Sequence, residues 1–478
     1  MARRLIFKLI AAWLVIGASP FVQLAQAQPS APEDAEESTI LPDPNAPQRL
    51  PLERPPTPAP STRPAAGSAD SQNLKPQYGL LGNLGGARDL LWDRGVLFNM
   101  DYVYEAATNV AGGDRGPLLL GAGQLAIRGL FDFQKMFDWE GASGGITISH
   151  REGRSLALDA HLDTQTSVQE IYGRGRIWRL SQFWFDQKLG PYVDLKFGRL
   201  PVNDDFGGFA CEFQLNSLCG SVVSKIASNY IYTFPVSQWA TRLRIGTSDS
   251  VYLQVGAYQV NPDDVNEGFN FGFSNATGAL IVTEAGWFPK IGGDAFAGSY
   301  KIGGWYETGG GNDVYLNDRG LPLAMYKGQP LHRGDRTGFY FTGVQEIYRP
   351  DPANKTRNLS AFVRAAAADE ETATYSSMVT AGVIYKGWCA ERPNDWLGLG
   401  VGQTTPNPRL VDAISMSNLL ADKARKIPTQ EKYIEAFYSI DVADNVIIRP
   451  NIQYITRNGS PLRKTDAVVL GLKSLINF

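Results

Sequence analysis

The chain has 478 residues and a formal net charge of -3, and only 19% of its residues are charged, against roughly 25% in an ordinary soluble domain. Its 50 glycines and 11% aromatic residues are typical of an all-β chain, whereas three cysteines are too few for a disulfide-built scaffold. The near-balanced charge argues against a nucleic-acid-binding protein. Beyond the N-terminus no apolar run reaches the length of about 18 residues that a membrane-spanning helix needs, which excludes a helical membrane protein.

Residues 1–27 have the pattern of a secretory signal peptide. Basic residues precede a short apolar run at 9–16, and Ala25-Gln26-Ala27 is a small-residue cleavage site. We therefore expect export and a mature chain that begins at Gln28. The alternative is a membrane anchor that is not removed.

Residues 28–76 contain 12 prolines and no periodic apolar pattern. Such a segment cannot bury a core, so we expect a proline-rich, disordered periplasmic linker that is either an inert spacer or a tether for a partner. Residues 77–95 predict a short helix that ends at Gly95, which is a suitable glycine C-cap. This helix is expected near the periplasmic mouth of the domain that follows.

From Val96 to the end, residues 96–478, apolar and polar side chains alternate with a period of two in segments of about ten residues. Val193, Leu195 and Phe197, for example, alternate with Asp194 and Lys196. We predict sixteen strands, near residues 96–106, 123–133, 144–150, 178–188, 192–199, 240–247, 251–260, 279–288, 298–307, 338–348, 358–366, 377–386, 395–403, 431–440, 445–456 and 465–478.

Period-two alternation is compatible with a soluble sandwich, whose apolar face points inward, and with a membrane barrel, whose apolar face points to lipid. Three observations favour the barrel. The chain carries an export signal, aromatic residues such as Trp239, Trp287 and Trp388 fall near strand ends, and short connections alternate with long ones. The fold class is therefore predicted as an all-β, transmembrane antiparallel barrel of about 16 strands with a short N-terminal helix and long external loops.

The last segment has the clearest pattern. Val468, Leu470 and Leu472 share one face, Lys473 lies on the other, and the chain ends in Phe478. A terminal Phe that closes an amphipathic strand is a signal that barrel-assembly machinery reads in the outer membrane. We therefore expect that machinery as a partner, together with outer-membrane lipid and lipopolysaccharide.

Several stretches resemble the carbohydrate-selective porin (OprB-type) family, from about residue 79 to the end. They are 82–88 (GNLGGAR), 93–96 (DRGV), 180–184 (LSQFW), 450–455 (PNIQYI) and 466–472 (DAVVLGL), of which the last two are the most specific. The resemblance implies a sixteen-stranded barrel with loops folded into its lumen. It also implies diffusion of sugars, above all glucose, through a narrowed site.

A sugar filter needs flat aromatic faces for the C–H surfaces of the ring and polar groups for its hydroxyls, and it must bind weakly enough to release the solute. Phe183 and Phe185 suit lipid, so the opposite face of that strand should point into the lumen. The constriction candidates are Arg128, Asp132, Gln182, Trp184, Asp186, Asp194, Lys196, Arg199, Glu435, Arg449, Asn451 and Gln453. The alternative for each is a wall charge paired across the lumen without contact to solute.

Cys211 and Cys219 lie inside the long third external loop, and an exported chain makes a disulfide between them a candidate that would stiffen this loop. The alternative is three unpaired thiols, and the state of Cys389 stays open. His150, His161 and His332 have no metal-ligand spacing, and no nucleotide-binding or nucleophile motif is found. We therefore predict no metal, no cofactor and no enzymatic activity.

The sequence thus predicts an outer-membrane porin of a Gram-negative bacterium for passive diffusion of glucose-like monosaccharides or small oligosaccharides. A general or ion-selective porin and an outer-membrane anchor or assembly component that uses the proline-rich arm are the alternatives. Small sugars are the expected partners, nucleic acid is not, and a monomer and a homo-oligomer are both open.

Overall fold

The computed structural model describes residues 78–248, 250–292, 296–352, 354–420, 425–456 and 466–478. The predicted signal peptide at 1–27 and the predicted linker at 28–76 lie outside the described residues. Both stay predictions.

In the described part of the chain, sixteen antiparallel strands form one continuous wall. Their bounds are β1 Val96–Ala111, β2 Leu119–Asp132, β3 Ala142–Gly153, β4 Trp178–Lys188, β5 Val193–Leu200, β6 Gln238–Ser248, β7 Val251–Val260, β8 Gly278–Trp287, β10 Phe296–Glu307, β13 Arg336–Tyr348, β14 Asn358–Ala368, β15 Tyr375–Lys386, β16 Trp396–Pro406, β17 Glu431–Ala443, β18 Val446–Ile455 and β19 Ala467–Asn477. Each predicted strand corresponds to one of them, so the predicted fold class is confirmed.

The wall closes because the first strand pairs with the last. Val103 of β1 lies opposite Gln124 of β2 on one side and opposite Leu475 of β19 on the other. Lipid offers no hydrogen-bonding partner to an open strand edge, so a sheet in a bilayer must satisfy its backbone by closure.

Side chains alternate between the two faces of the wall. On β16, Leu397, Leu399 and Val401 are exposed on the outside, whereas on β18 exposed Ile452 alternates with buried Asn451. The apolar outer face suits lipid and the polar inner face suits a lumen, as expected of such barrels. In the residues that the structure describes, no helix combines the length and apolarity needed to cross a membrane.

Connections at one end of the barrel are short, and most of those at the other end are long. The short connections include 189–192 and 444–445. The start of β1 and the end of β19 lie at the same end of the barrel as these connections, so this is the periplasmic end. The opposite end carries long connections at 154–177, 201–237 and 407–430, but also two short ones at 112–118 and 369–374. The predicted alternation of short and long connections therefore holds with these two exceptions.

Helices, turns and short strands lie before the first strand and in the connections, and the period-two pattern does not predict them. The helices are α1 Ala87–Asp93, α2 Phe133–Phe137, α3 Leu156–Asp159, α4 Val223–Ile226, α5 Asp263–Asn266, α6 Leu323–Tyr326 and α7 Pro408–Leu420, with 3-10 turns at Leu84–Gly86, Val202–Asp204 and Asn216–Leu218. Three further strands are too short to span the wall. β9 Lys290–Ile291 extends the sheet by pairing with the start of β10, and β11 Gly311–Asn317 and β12 Pro330–Arg333 form a separate two-stranded sheet. Asp313 forms ion pairs with both Arg333 and Arg409, so its carboxylate links the β11–β12 strands to helix α7.

The N-terminal helix α1 lies where the sequence predicts a helix. Gly95 follows it at φ +84°, and a side chain there would also meet the Asp132 carbonyl at 2.7 Å, so this stop requires glycine. The Leu80 amide donates to the Asn477 carbonyl at 2.7 Å, and the buried Arg88 guanidinium donates to the Phe478 carbonyl. The N-terminal segment therefore packs against the end of the last strand at the periplasmic rim.

Candidate functional site

The connection between β5 and β6, residues 201–237, folds into the barrel instead of standing above it; we call it the inner loop. Phe206, Phe213 and Leu215 of this loop are fully buried inside the barrel. The Phe213 ring lies 5.8 Å from the ring of Phe362 on β14 and 5.0 Å from that of Phe437 on β17. The inner loop thus has an apolar core that it shares with the inner wall.

Gly400 on β16 leaves space on the inner wall for the inner loop. A Cβ at that position would lie 2.9 Å from the side chains of both Phe213 and Leu218. A larger residue would push the inner loop away from the wall, so glycine is required there for close approach rather than for backbone freedom.

A disulfide joins Cys211 to Cys219 within the inner loop, with 4.3 Å between their Cα atoms. It closes the segment that contains Phe213 and Leu215, and therefore restricts the part of the loop that packs on the wall. Cys389 is a free thiol in the periplasmic turn after β15, where its sulfur lies 3.1 Å from a Glu391 carboxylate oxygen.

The side chain of Glu435 on β17 holds the inner loop by binding two backbone amides of that loop. Its two carboxylate oxygens accept the amide N–H groups of Gln214 at 2.8 Å and Leu215 at 2.6 Å. The carboxylate is fully buried, and charge-assisted hydrogen bonds of this kind are among the stronger ones in proteins.

Three predicted residues of β18 hold neighbouring parts of the loops. Arg449 pairs with the Glu212 carboxylate at 2.8 Å and also donates to the Glu212 carbonyl. Asn451 donates to the Gln214 side chain at 2.8 Å, and Gln453 donates to a backbone carbonyl of the 154–177 connection at 3.1 Å. These side chains, predicted to face a solute, are bonded to loop groups in the structure.

The opposite wall also holds the inner loop through ion pairs, with the cations on the wall and the anion in the loop, as in the Arg449–Glu212 pair. Lys196 on β5 lies 3.2 Å from Asp205 of the inner loop, and Arg242 on β6 approaches the same carboxylate at 3.5 Å. Burial alone would raise the pKa of Asp205, but Lys196 and Arg242 outweigh it and lower that pKa to about 2. Asp205 is therefore an anion over the whole physiological range of pH.

Two other predicted residues of this wall hold the start and the end of the inner loop. Gln182 accepts from Thr147 at 2.5 Å and donates to Asp204, which is in the inner loop. Arg199 donates to the Ser237 carbonyl and pairs with Asp264 of α5 at 2.9 Å.

The remaining predicted residues of this wall contact side chains of the neighbouring strands. Asp194 pairs with Arg242 at 2.6 Å, and its side chain lies next to that of Asp186. Trp184 is 6% exposed, and the Lys196 ammonium lies 5.0 Å from its ring centroid. The inward direction predicted for Gln182, Trp184 and Asp186 agrees with the exposure of Phe183 on the outer face.

Two predicted residues lie apart from the rest, toward the periplasmic end. Arg128 pairs with Asp101 across β1 and β2. Asp132 accepts the amides of Gln134 at 3.0 Å and Lys135 at 3.1 Å, and so caps the N-terminus of α2. Asp132 is therefore a helix cap, and Arg128 pairs with the neighbouring strand of the wall.

Sequence reasoning missed several wall residues that contact the inner loop. Arg364 on β14 donates to the Ser217 carbonyl at 3.0 Å, and Lys301 on β10 donates to the Gly208 carbonyl at 2.9 Å. Glu284 on β8 accepts the Gly207 amide at 2.7 Å. The alternation of side chains along their strands could have indicated that they point inward. Arg364, for example, shares its face with Phe362, and the exposed Val363 lies between them.

Comparison with known proteins identifies the type of channel. Residues 119–478 match the family described as carbohydrate-selective porin, OprB family. The chain belongs to this family. The resemblance predicted from the sequence is therefore confirmed.

Relatives of this OprB-family porin match it over most of their lengths. Porin B of Pseudomonas aeruginosa is 33% identical over 409 residues, which cover 82% of this chain and 90% of that protein. The putative porin QuiX of Acinetobacter baylyi is also 33% identical, over 420 residues that cover 84% of this chain and 93% of QuiX. A solved high-pH structure of Pseudomonas putida OprB is 31% identical and has a TM-score of 0.80, covering 85% of this chain and 99% of that one.

The family and the fold establish the broad role of the molecule. This porin is a sugar-selective channel without enzymatic activity, and it lies in the outer membrane of a Gram-negative bacterium.

Proposed function

We propose that this porin carries glucose-like monosaccharides and small oligosaccharides into the periplasm by passive diffusion, through the passage left beside the inner loop. The observation that carries the proposal is the attachment of this loop to opposite walls, by Glu435 and Arg449 on one side and by Lys196 and Arg199 on the other. A loop held at both walls gives a passage of fixed width, which selects by size and by polar contacts.

The predicted constriction residues are proposed to act on solute mainly by fixing this loop. Six of the twelve residues bond to groups of the inner loop, so removing one of these six changes the shape of the passage as well as its local polarity; they are Gln182, Lys196, Arg199, Glu435, Arg449 and Asn451. Asp194 is proposed to contribute more directly, because its carboxylate keeps some exposure and can accept sugar hydroxyls, whereas Trp184 and Lys196 are buried.

Proteoliposome swelling with a panel of uncharged sugars tests the proposal. Swelling should be fast with monosaccharides, slower with disaccharides and absent with large oligosaccharides, and ion gradients should not be needed. Equal swelling rates for sugars and for size-matched uncharged polyols without rings would favour the alternative, a general porin.

We also propose roles for the two ends of the chain. Residues 1–27 are proposed to be removed on export, and residues 28–76 to form a periplasmic linker. We propose that assembly machinery reads Phe478 before the barrel closes, since in the closed barrel the Phe478 amide donates to the Met100 carbonyl at 2.9 Å and its carbonyl accepts from Arg88.

A further inference from the structure

The tip of the inner loop, residues 207–210, differs from the rest of that loop. Phe206 and Phe213 on either side of it are fully buried, whereas Phe209 is half-buried and Ala210 is exposed. This exposure lies inside the barrel, because the Phe209 ring is 4.9 Å from the ring of Phe362 on the inward face of β14. The ring packs against the apolar core with part of its surface and keeps the rest open, which leaves apolar surface that a solute can contact.

The backbone on both sides of Phe209 is fixed by wall residues. The Gly207 amide donates to a Glu284 oxygen at 2.7 Å, and the Lys301 ammonium donates to the Gly208 carbonyl at 2.9 Å. Cys211, two residues after Phe209, is bonded to Cys219. The ring is therefore presented on a rigid segment, as a binding surface requires.

The ring of Phe209 is also supported from the wall. The Arg364 guanidinium lies 4.3 Å from the ring centroid, and Phe362 contacts it at a tilt of 53°. The Arg364 side chain is itself fully buried and donates to Thr380 at 2.9 Å and to the Ser217 carbonyl at 3.0 Å, so it cannot turn away easily. These contacts cover part of the ring and leave the rest toward the lumen.

We infer that Phe209 is a stacking platform for pyranose rings, on which the apolar C–H face of a passing sugar rests. This inference rests on the proposed function, and it assigns to Phe209 a stacking contact with the sugar. Lys301 supplies the complementary polar chemistry: its side chain is half-buried, and one of its three donors holds Gly208, so the others can reach sugar hydroxyls. The site therefore takes neutral sugars in the pyranose form and disfavours open-chain polyols of the same size.

Planar-bilayer recording of ion current with glucose as the blocker tests the inference, with Phe209→Ala, Phe209→Trp and the control Phe183→Ala. Phe183 is a Phe of the lipid-facing wall, so its truncation removes the same atoms away from the lumen. Phe209→Ala should weaken block by glucose about three- to tenfold, as expected from the loss of one aromatic contact. Phe209→Trp should retain block or strengthen it, and Phe183→Ala should leave it unchanged.

Two results overturn the inference while leaving the proposed function intact: glucose block that Phe209→Ala does not change, or block that Phe209→Trp weakens as much as Phe209→Ala does. Absence of sugar block in the unmodified porin would overturn the proposed function as well. Sorbitol, an open-chain polyol, serves as a second probe, and its weaker effect should not differ between the unmodified porin and Phe209→Ala.

Discussion

At the scale of single residues, the wall charges act on the channel through the inner loop that they hold. Glu435 shows this most directly, because both of its oxygens accept backbone amides of that loop. A buried donor that loses its acceptor costs about 1–3 kcal/mol. The loop should therefore respond to single substitutions even where the barrel itself does not.

We expect Glu435→Ala to release the segment around Gln214 and Leu215 while the strands still pair. Open-channel current in a planar bilayer should become noisier and its mean conductance higher, because the loop moves within the passage. Glu152→Ala is the matched control, since Glu152 is exposed and lies at the external end of β3. Equal noise in the two variants would contradict the anchoring role of Glu435.

Lys225, in α4 of the inner loop, should give the channel a pH-dependent ion preference. Burial lowers the pKa of Lys225 to about 7, with the nearby Glu170 opposing this shift and Arg364 adding to it. The ammonium is therefore charged at lower pH and neutral at higher pH, so preference for anions should fall as the pH rises between about 6 and 8.

Reversal potentials in a salt gradient measure this preference. Lys225→Arg should keep the anion preference of the low-pH state throughout, and Lys225→Met should keep the preference of the high-pH state. A pH-dependent step of unchanged size in both variants would show that another group titrates.

At the scale of elements, the inner loop combines an apolar core, polar anchors and a disulfide. Replacement of Cys211 and Cys219 together by serine should leave the barrel folded, because none of the strand pairings depends on the bond. The anchors at Glu435 and Lys196 would still hold the loop on both walls. We expect an increase in current noise that is smaller than in Glu435→Ala, measured in the same bilayer recordings. Loss of the folded barrel in the double variant would contradict this separation of roles.

The elements also show what sequence alone can predict. Period-two alternation depends only on neighbours along the chain, so it located the strands and the inward direction of residues such as Trp184 and Glu435. Partners of those residues depend on how a loop folds back into the barrel, and Glu435 binds residues more than 200 positions earlier in the chain. The half-buried ring of Phe209 and the helix α7 arise from loop packing, for which the sequence carries no periodic signal.

At the scale of the whole molecule, the closed wall, the inner loop and the N-terminal segment have separable roles. Deletion of residues 28–76 should leave conductance and sugar block unchanged, because that segment has no apolar periodicity and cannot form part of the wall. Single-channel recording of the deletion variant checks this expectation. Loss of the pore from a barrel that still assembles normally would instead assign the segment a role in the channel.

The central claim is that the inner loop makes the barrel a sugar-selective channel, and its replacement tests that claim most directly. Leu200 and Gln238 lie opposite each other at the ends of β5 and β6, so a short glycine-serine turn can join them in place of residues 201–237. The single-channel conductance of this variant should rise several-fold, and block by glucose should disappear. A folded variant that keeps the original conductance and the original block by glucose would contradict the account.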